Sequence, residues 1–276
     1  MVLKGTAAYL HGEDNTMAKY NGKAKGKRSS KQQYDDEQFE AIMKAGAERE
    51  EEQKNELIKR VTINRSIKYK NSKQKELIKL IHENQIVFIK GAAGTGKTFL
   101  ALKAALEVLQ DAGNDINKIT LTKPIVEAGE SIGFLPGDAD EKTQPYMKSF
   151  EDNIKELIGK EATRNLIAAG VIEAMPLSFI RGNTFRRSIS ILDEAQNTTP
   201  TAMKLFVSRI GETSKMIIIG DTDQTDLNLR SNEIHGLQDA FERFNGVSGV
   251  GFFEFTEDDI VRSKILIDLM KRYKKP

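Results

Sequence analysis

The chain has 276 residues and no cysteine, and its 42 basic and 40 acidic side chains leave a net charge of +2. This length fits one large domain or two small ones, and the 39% of apolar residues indicate a globular protein, not a collagen, a disordered chain or a membrane protein. The lack of cysteine excludes disulfides, thiolate nucleophiles and cysteine-based zinc sites, and it fits a reducing cytoplasm, where we expect the protein to act.

The N-terminal part of the chain predicts two appendages of opposite charge. Residues 1–34 carry seven basic against two acidic side chains and lack both apolar periodicity and the features of a signal or transit peptide. We expect a flexible basic lead there, either a solvated tail or an arm that binds nucleic acid. Residues 35–60 carry nine acidic against five basic side chains. They predict a charged helix that is either exposed or packed through Phe39, Ile42 and Met43 on a neighbouring subunit.

Residues 61–276 predict a single α/β domain, because short apolar runs alternate there with amphipathic helical segments. The predicted strands are residues 86–90, 119–123, 171–175, 188–193, 215–220 and 251–255. The predicted helices include residues 72–84, 98–110, 149–160, 199–211 and 259–273. Continuous apolar strands separated by helices predict a parallel sheet that is covered on both faces.

The string GAAGTGKT follows the first predicted strand and opens a helix. It matches G-x-x-x-x-G-K-[ST], the pattern of a phosphate-binding loop, in the context that such a loop requires. Its glycines let backbone N–H groups surround phosphates, while Lys97 can reach the β- and γ-phosphates and Thr98 offers a hydroxyl to Mg²⁺. The predicted nucleotide-binding residues of this loop are Gly91, Ala92, Ala93, Gly94, Thr95, Gly96, Lys97 and Thr98.

Two later strand ends carry residues suited to metal binding and catalysis. In ILDEAQ, Asp193 would hold Mg²⁺ and Glu194 would polarise the attacking water, which favours hydrolysis over transfer to another acceptor. In IIIGDTDQ, Gln224 would sense whether the γ-phosphate is present. We therefore predict Glu194, Lys97 and Gln224 as catalytic residues, and Thr98 and Asp193 as the metal-binding pair.

Two further patterns concern the choice of reaction and of nucleotide. Residues 129–133 match G-x-S-x-G, but Ser131 does not follow a strand directly because Pro124 comes between, so we expect no serine hydrolase. Upstream of the phosphate loop, Gln74 can both donate a hydrogen bond to an adenine edge and accept one from it. It is therefore a candidate for selecting ATP over GTP, the alternative being an exposed glutamine without that role.

Taken together, GAAGTGKT, DEAQ and GDTDQ resemble the ATPase motifs of superfamily-one helicases. The longer strings TKPIVEAGESIGFLPGDADEK, MPLSFIRGNTF and ILDEAQNTTPTAMKLFVSRIG are similar to the PhoH-like family, over about residues 65–276 and in a shortened form like those of bacteriophages. The resemblance implies a RecA-like P-loop ATPase core, ATP and Mg²⁺ as cofactors, Gln74 as an adenine-reading residue and a hexameric ring. It also suggests roles linked to RNA, as a helicase or a nuclease.

A helicase motor with two lobes places ATP between them, and its second lobe donates an arginine. This chain has residues for one lobe only, so the arginine must come from the same lobe or from a neighbouring subunit. Arg209 and Arg262 are the preferred candidates. Lys123 lies at the strand end that corresponds to the first single-strand contact of helicase-like folds, and it is the candidate nucleic-acid contact.

The function that these features predict is ATP hydrolysis by a ring-forming protein coupled to single-stranded RNA. Two alternatives stay open at the level of sequence. One is a nucleotide-gated switch that acts on protein partners, and the other is a P-loop phosphotransferase.

Overall fold

The computed structural model describes residues 30–124, 139–222, 224–227 and 233–261. The α-helices in these ranges are α1 (Ser30–Arg60), α2 (Ser72–Glu83), α3 (Lys97–Gln110), α4 (Ala139–Ile158), α5 (Lys160–Ala168), α6 (Pro200–Val207) and α7 (Gly236–Arg243). The strands are β1 (Ile86–Lys90), β2 (Lys118–Lys123), β3 (Ile172–Pro176), β4 (Ser188–Leu192), β5 (Lys215–Gly220) and β6 (Val250–Glu254). Short 3₁₀ turns cover Leu177–Ile180, Ala195–Asn197 and Glu257–Asp259.

The six strands form one sheet in the order β3-β2-β4-β5-β1-β6, and every neighbouring pair is parallel. The carboxyl ends of all strands therefore meet at one edge of the sheet, which is where ligands bind in open α/β folds. Strand β5 lies between β1, which precedes the phosphate loop, and β4, which precedes Asp193. The predicted fold class is confirmed: this is a P-loop NTPase fold with a RecA-like parallel sheet between helices.

Both faces of the sheet are buried, which explains why the strands are continuously apolar. The side chains of α2, α3, α4 and α5 cover one face, and those of α6 and α7 cover the other. Sheet residues packed under the first group include Val87, Ile89, Ile119, Leu121, Ile189, Ile191, Ile217 and Ile219. Sheet residues packed under the second group include Phe88, Leu192, Met216 and Ile218. Each such side chain contributes roughly 1.5–3 kcal/mol by leaving water, so the sheet is a rigid support for the loops at its edge.

Contacts divide the chain into two units, Met1–Glu48 and Arg49–Pro276. In the first unit, helix α1 begins at Ser30, five residues before the charged helix that the sequence predicts at residues 35–60. The side chains of Phe39, Ile42 and Met43 are 64%, 70% and 59% exposed.

In the second unit, the end of α1 packs against the α/β core. Ile58 is buried in the core, and Gln110 on α3 donates a hydrogen bond to the carbonyl of Val61 at 2.6 Å. Arg187 also pairs with Glu51 of α1 at 2.5 Å. The contacts therefore group the last turns of α1, from Arg49, with the core, while the division after residue 60 that the sequence indicates stays a prediction.

Some predicted segments fall outside the described residues: residues 1–29 of the lead, the serine pattern at 129–133 and residues 262–273 of the last predicted helix. Helices α5 and α7 were not among the predicted elements. No helix in the described ranges is long and apolar enough to cross a membrane.

Candidate nucleotide-binding and catalytic site

The phosphate loop leaves β1 at the carboxyl edge of the sheet and leads into α3. At its start, Gly91 has a φ of 153°, and a Cβ there would lie 2.6 Å from the Cβ of Phe255, so only glycine fits this approach. At its end, Gly96 is the N-cap of α3 in the left-handed conformation, with a φ of 87°, which costs glycine nothing. The loop thus takes the curled form that points backbone N–H groups and a helix N-terminus at an anion.

Lys97 and Thr98, the first residues of α3, direct their side chains to the loop and to β4. The Lys97 ammonium donates to the carbonyls of Gly91 and Ala92, the latter at 2.8 Å. The Thr98 hydroxyl lies 3.2 Å from both carboxylate oxygens of Asp193. A hydroxyl and a carboxylate are hard oxygen ligands of the kind that Mg²⁺ takes, so the predicted metal-binding pair is brought together in a form that fits that ion.

Asp193 follows β4 and is only 5% exposed. Burial raises the pKa of its carboxyl, whereas the ammonium of Lys123 and hydrogen bonds from the Glu194 N–H and the Thr98 hydroxyl oppose that shift. Its own backbone N–H donates to the carbonyl of Thr122 at 2.9 Å, which fixes the carboxylate relative to β2. A bound cation would favour the ionised carboxylate further.

Glu194, the predicted catalytic carboxylate, is exposed and has a φ of 57°, an uncommon conformation for a residue other than glycine. Its Oε2 accepts a hydrogen bond from Nε2 of Gln196 at 2.7 Å. The sharp turn after Asp193 therefore separates the two neighbouring acids: one is buried against Thr98, and the other faces solvent, where an attacking water would come from.

Gln196 joins this carboxylate to the end of β5, a role that the sequence analysis missed. It is 3% exposed, and its Oε1 accepts a hydrogen bond from the backbone N–H of Asp221 at 3.0 Å. The carboxylate of Asp221 in turn accepts a hydrogen bond from the N–H of Ala93 in the phosphate loop at 3.1 Å. A Cβ on Gly220 would lie 2.7 Å from Oε1 of Gln196, so the glycine of the GDTDQ string makes room for this amide.

Gln224, the predicted γ-phosphate sensor, has an exposed side chain, and its backbone N–H donates to the carbonyl of Asp221 at 3.2 Å. The residues that follow it are held by the turn after Glu194. Asn197 and Asp226 exchange two hydrogen bonds, at 2.8 and 2.9 Å. The backbone around Gln224 is thereby connected to the Glu194 turn, while its sensing role stays a prediction.

Gln74 is buried beside the phosphate loop. Its Oε1 accepts a hydrogen bond from the N–H of Lys70 at 2.8 Å, and its Nε2 donates to the carbonyl of Thr95 at 3.4 Å. A primary amide has one further donor and one further lone pair, so these contacts leave capacity for a base edge. The structure places Gln74 next to the nucleotide loop, and its reading of adenine stays a prediction.

Lys123, the candidate nucleic-acid contact, is directed towards Asp193. Its ammonium lies 3.4 Å from Oδ2 of Asp193 and 4.9 Å from the ring centre of Phe150. The side chain is 22% exposed. This ion pair depends on the pairing of β2 with β4, which a pattern along the sequence does not reveal.

Arg209 lies near the amino-terminal ends of the strands, at the opposite end of the sheet from the phosphate loop. Its carbonyl accepts a hydrogen bond from the N–H of Phe185, just before the start of β4, and its guanidinium contacts the hydroxyl of Ser208 at 3.2 Å. Asp193 stands at the other end of β4, roughly five residues of strand or about 16 Å away. Arg209 is therefore misplaced for a nucleotide held by its own chain, and Arg262 lies outside the described residues.

Comparison with known proteins gives a consistent match. A family model described as "PhoH-like protein" matches residues 66–274. The chain is 43% identical over 211 residues to a PhoH-like protein of Bacillus subtilis (strain 168), which covers 76% of this chain and 65% of that protein. It is 37% identical over 198 residues to protein PhoH of Escherichia coli (strain K12), covering 71% and 55%. The chain thus spans just under two thirds of the Bacillus subtilis protein and well under two thirds of the Escherichia coli protein.

Solved structures with a similar arrangement include a bacteriophage terminase and a helicase. The large terminase from a thermophilic bacteriophage, in complex with ADP, aligns over 74% of this chain and 50% of its own, with a TM-score of 0.45 and 12% identity. The Pif1 helicase from Candida albicans aligns over 75% and 44%, with a TM-score of 0.38 and 14% identity. At these identities the similarity is one of fold alone.

Proposed function

The chain belongs to the PhoH-like protein family, and we propose that it binds ATP together with Mg²⁺ and hydrolyses the bond between the β- and γ-phosphates, releasing ADP and inorganic phosphate. One observation carries this proposal: the hydroxyl of Thr98, at the end of the phosphate loop, lies 3.2 Å from the buried carboxylate of Asp193. Two residues 95 positions apart in the chain are thus paired in the geometry that a magnesium-nucleotide complex needs.

In this proposal each part of the site has a separate task. The N–H groups of the loop and the Lys97 ammonium bind phosphate oxygens, for which Lys97 exchanges its present contacts with the carbonyls of Gly91 and Ala92. Thr98 and Asp193 hold Mg²⁺, which when bound would neutralise charge on the β- and γ-phosphates. Glu194, held by Gln196, accepts a proton from the attacking water.

We further propose that the protein assembles as a homo-hexameric ring in which a neighbour supplies the arginine. The position of Arg209 supports this arrangement, because its guanidinium stands at the sheet edge away from its own phosphate loop. An arginine on the γ-phosphoryl group contributes on the order of 10³–10⁵ in rate, so an isolated subunit would hydrolyse ATP slowly. Coupling to single-stranded RNA is proposed from the basic lead, which carries a net charge of +5 and suits a phosphate backbone.

The test is ATP turnover by the full chain with and without single-stranded RNA. Lys97→Ala should abolish turnover, whereas Glu194→Gln should retain ATP without cleaving it. Unchanged hydrolysis in Glu194→Gln would contradict the role of that carboxylate. Stimulation by RNA would support the motor, and the same turnover with and without RNA would contradict the coupling.

A switch that acts on protein partners is the second candidate function. The exposed apolar side chains of Phe39, Ile42 and Met43 on α1 favour it, because three such side chains on one helix face suit a partner surface. Pull-down of a partner that depends on ATP, together with steady turnover that RNA does not change, would support the switch over the motor.

A further inference from the structure

The segment that follows β6, residues 255–261, contacts the phosphate loop at two separate points. At its start, the N–H of Phe255 donates to the carbonyl of Lys90 at 2.9 Å, and the residue packs against Gly91. At its end, the N–H of Val261 donates to the carbonyl of Gly94 at 3.0 Å. This C-terminal strap therefore follows the loop from its first residue to its middle.

Asp259 organises the strap. Its Oδ2 accepts hydrogen bonds from the N–H and the hydroxyl of Thr256, at 2.8 and 2.9 Å, and from the ammonium of Lys73 at 2.7 Å. Burial alone would raise the pKa of this carboxyl, but the hydrogen bonds from Lys73 and Thr256 outweigh it, and the pKa is lowered. The carboxylate is therefore ionised at neutral pH and holds the strap against the first turn of α2.

The first turn of α2 is also the turn that carries Gln74. Asn71 caps the helix by accepting a hydrogen bond from the N–H of Gln74 at 3.0 Å, and its Nδ2 lies 3.5 Å from Oδ1 of Asp259. The amide of Gln74 reaches from this turn to the carbonyl of Thr95. The strap and Gln74 thus contact neighbouring carbonyls of the same loop, those of Gly94 and Thr95, and the Asp259–Lys73 pair joins the two.

We propose that Asp259 is a positioning residue for nucleotide selection, which fixes the turn from Asn71 to Gln74 so that the Gln74 amide meets the edge of adenine. The inference rests on the proposed ATP binding and on Gln74 as the base-reading residue. An amide discriminates between adenine and guanine only if it is held to within about 0.5 Å of its productive place. The ion pair with Lys73 supplies that restraint from a part of the chain about 186 residues away.

The experiment measures how well ATP and GTP each displace a fluorescent ADP analogue from the full chain. The wild type should prefer ATP, and Gln74→Ala should lower that preference about tenfold, as expected for the loss of a well-placed hydrogen bond. Asp259→Asn and Lys73→Met should lower the preference for ATP about fivefold. We expect this because the affinity for ATP falls, while the affinity for GTP changes less than about twofold. Asp258→Asn, on the exposed neighbour, is the matched control and should behave as the wild type.

A double variant, Gln74→Ala with Asp259→Asn, should show the same preference as Gln74→Ala alone, because the restraint has no effect without the amide. The inference is overturned if Lys73→Met and Asp259→Asn keep the wild-type preference while Gln74→Ala loses it, or if they weaken ATP and GTP equally. If Asp259→Asn fails to fold, Lys73→Met still tests the ion pair, because the side chain of Lys73 is partly exposed. Wild-type preference in Gln74→Ala, or no nucleotide binding by the wild type, would instead refute the underlying proposals and this inference with them.

Discussion

Gln196 offers the sharpest test of how Glu194, the proposed catalytic carboxylate, is held. We expect Gln196→Met, which keeps the length of the side chain, to lower the maximal rate of ATP hydrolysis about 10- to 100-fold. The lost hydrogen bond to Glu194 is short, at 2.7 Å, and its acceptor is charged, so it is worth about 1.5–3 kcal/mol. Each 1.36 kcal/mol of lost transition-state stabilisation is a factor of ten in rate.

The same substitution should also lower the stability. It leaves the buried N–H of Asp221 without its acceptor, which costs about 1–3 kcal/mol and lowers the Tm by several degrees. Single-turnover hydrolysis and nucleotide titration separate the two effects, because we expect the affinity for ATP to change less than about threefold. Gln238→Met on the exposed side of α7 is the matched control. A wild-type rate in folded Gln196→Met would refute the argument that this amide holds Glu194.

The remaining predictions concern the candidate arginine Arg209, the proposed metal ligand Asp193 and the loop glycine Gly91. Arg209→Ala should bind nucleotide normally but lose on the order of 10³ in turnover, and mixing it with inactive Lys97→Ala subunits should restore activity; no recovery, or wild-type activity in Arg209→Ala, would argue against a trans arginine. Asp193→Asn should abolish the further rise in Tm that Mg²⁺ produces when ADP is bound. Because burial raises the pKa of this acid above its unfolded value, the ionised carboxylate carries a folding penalty that develops as the pH rises through the folded pKa, so the variant's own Tm should compare best with the wild type above that pKa. A Mg²⁺-dependent rise in the variant would refute the ligand role of Asp193. Gly91→Ala should cost about 1–3 kcal/mol in urea unfolding because its Cβ has no room, whereas Gly46→Ala on α1, with nothing within 4 Å of the added carbon, should be neutral or stabilising.

The strands could be predicted from the sequence because each is a continuous apolar run between turns. Strands β1 and β5 have the predicted limits, and the other four differ by one residue at one end or at both. Helices α5 and α7 give weaker signals. Helix α5 has nine residues and buries only Thr163 and Leu166, and α7 has eight residues and begins with glycine after the cap His235. Helix α7 does repeat apolar side chains at helical spacing, at Leu237, Ala240, Phe241 and Phe244, but over eight residues the pattern is too short to distinguish a helix from other structures.

The phosphate loop and the pair Asp193 and Glu194 could be predicted because each lies within one short, continuous sequence motif. The site was not predictable where strands far apart in the sequence meet. Lys123 reaches Asp193 because β2 pairs with β4, and Gln196 reaches Asp221 because β5 adjoins β4. Such contacts follow from the order of strands in the sheet, which periodicity does not contain.

The peptide unit between Gly220 and Asp221, at the end of β5, contacts both the phosphate loop and the turn that carries Gln196. The carbonyl of Gly220 accepts a hydrogen bond from the N–H of Gly91, and the N–H of Asp221, in the same planar amide, donates to Gln196. A planar trans amide carries these two groups on opposite sides, so any tilt that relaxes one hydrogen bond alters the other. A single isotope-labelled carbonyl at Gly220 would consequently act as a vibrational reporter for the phosphate loop and for the turn that carries Gln196 together.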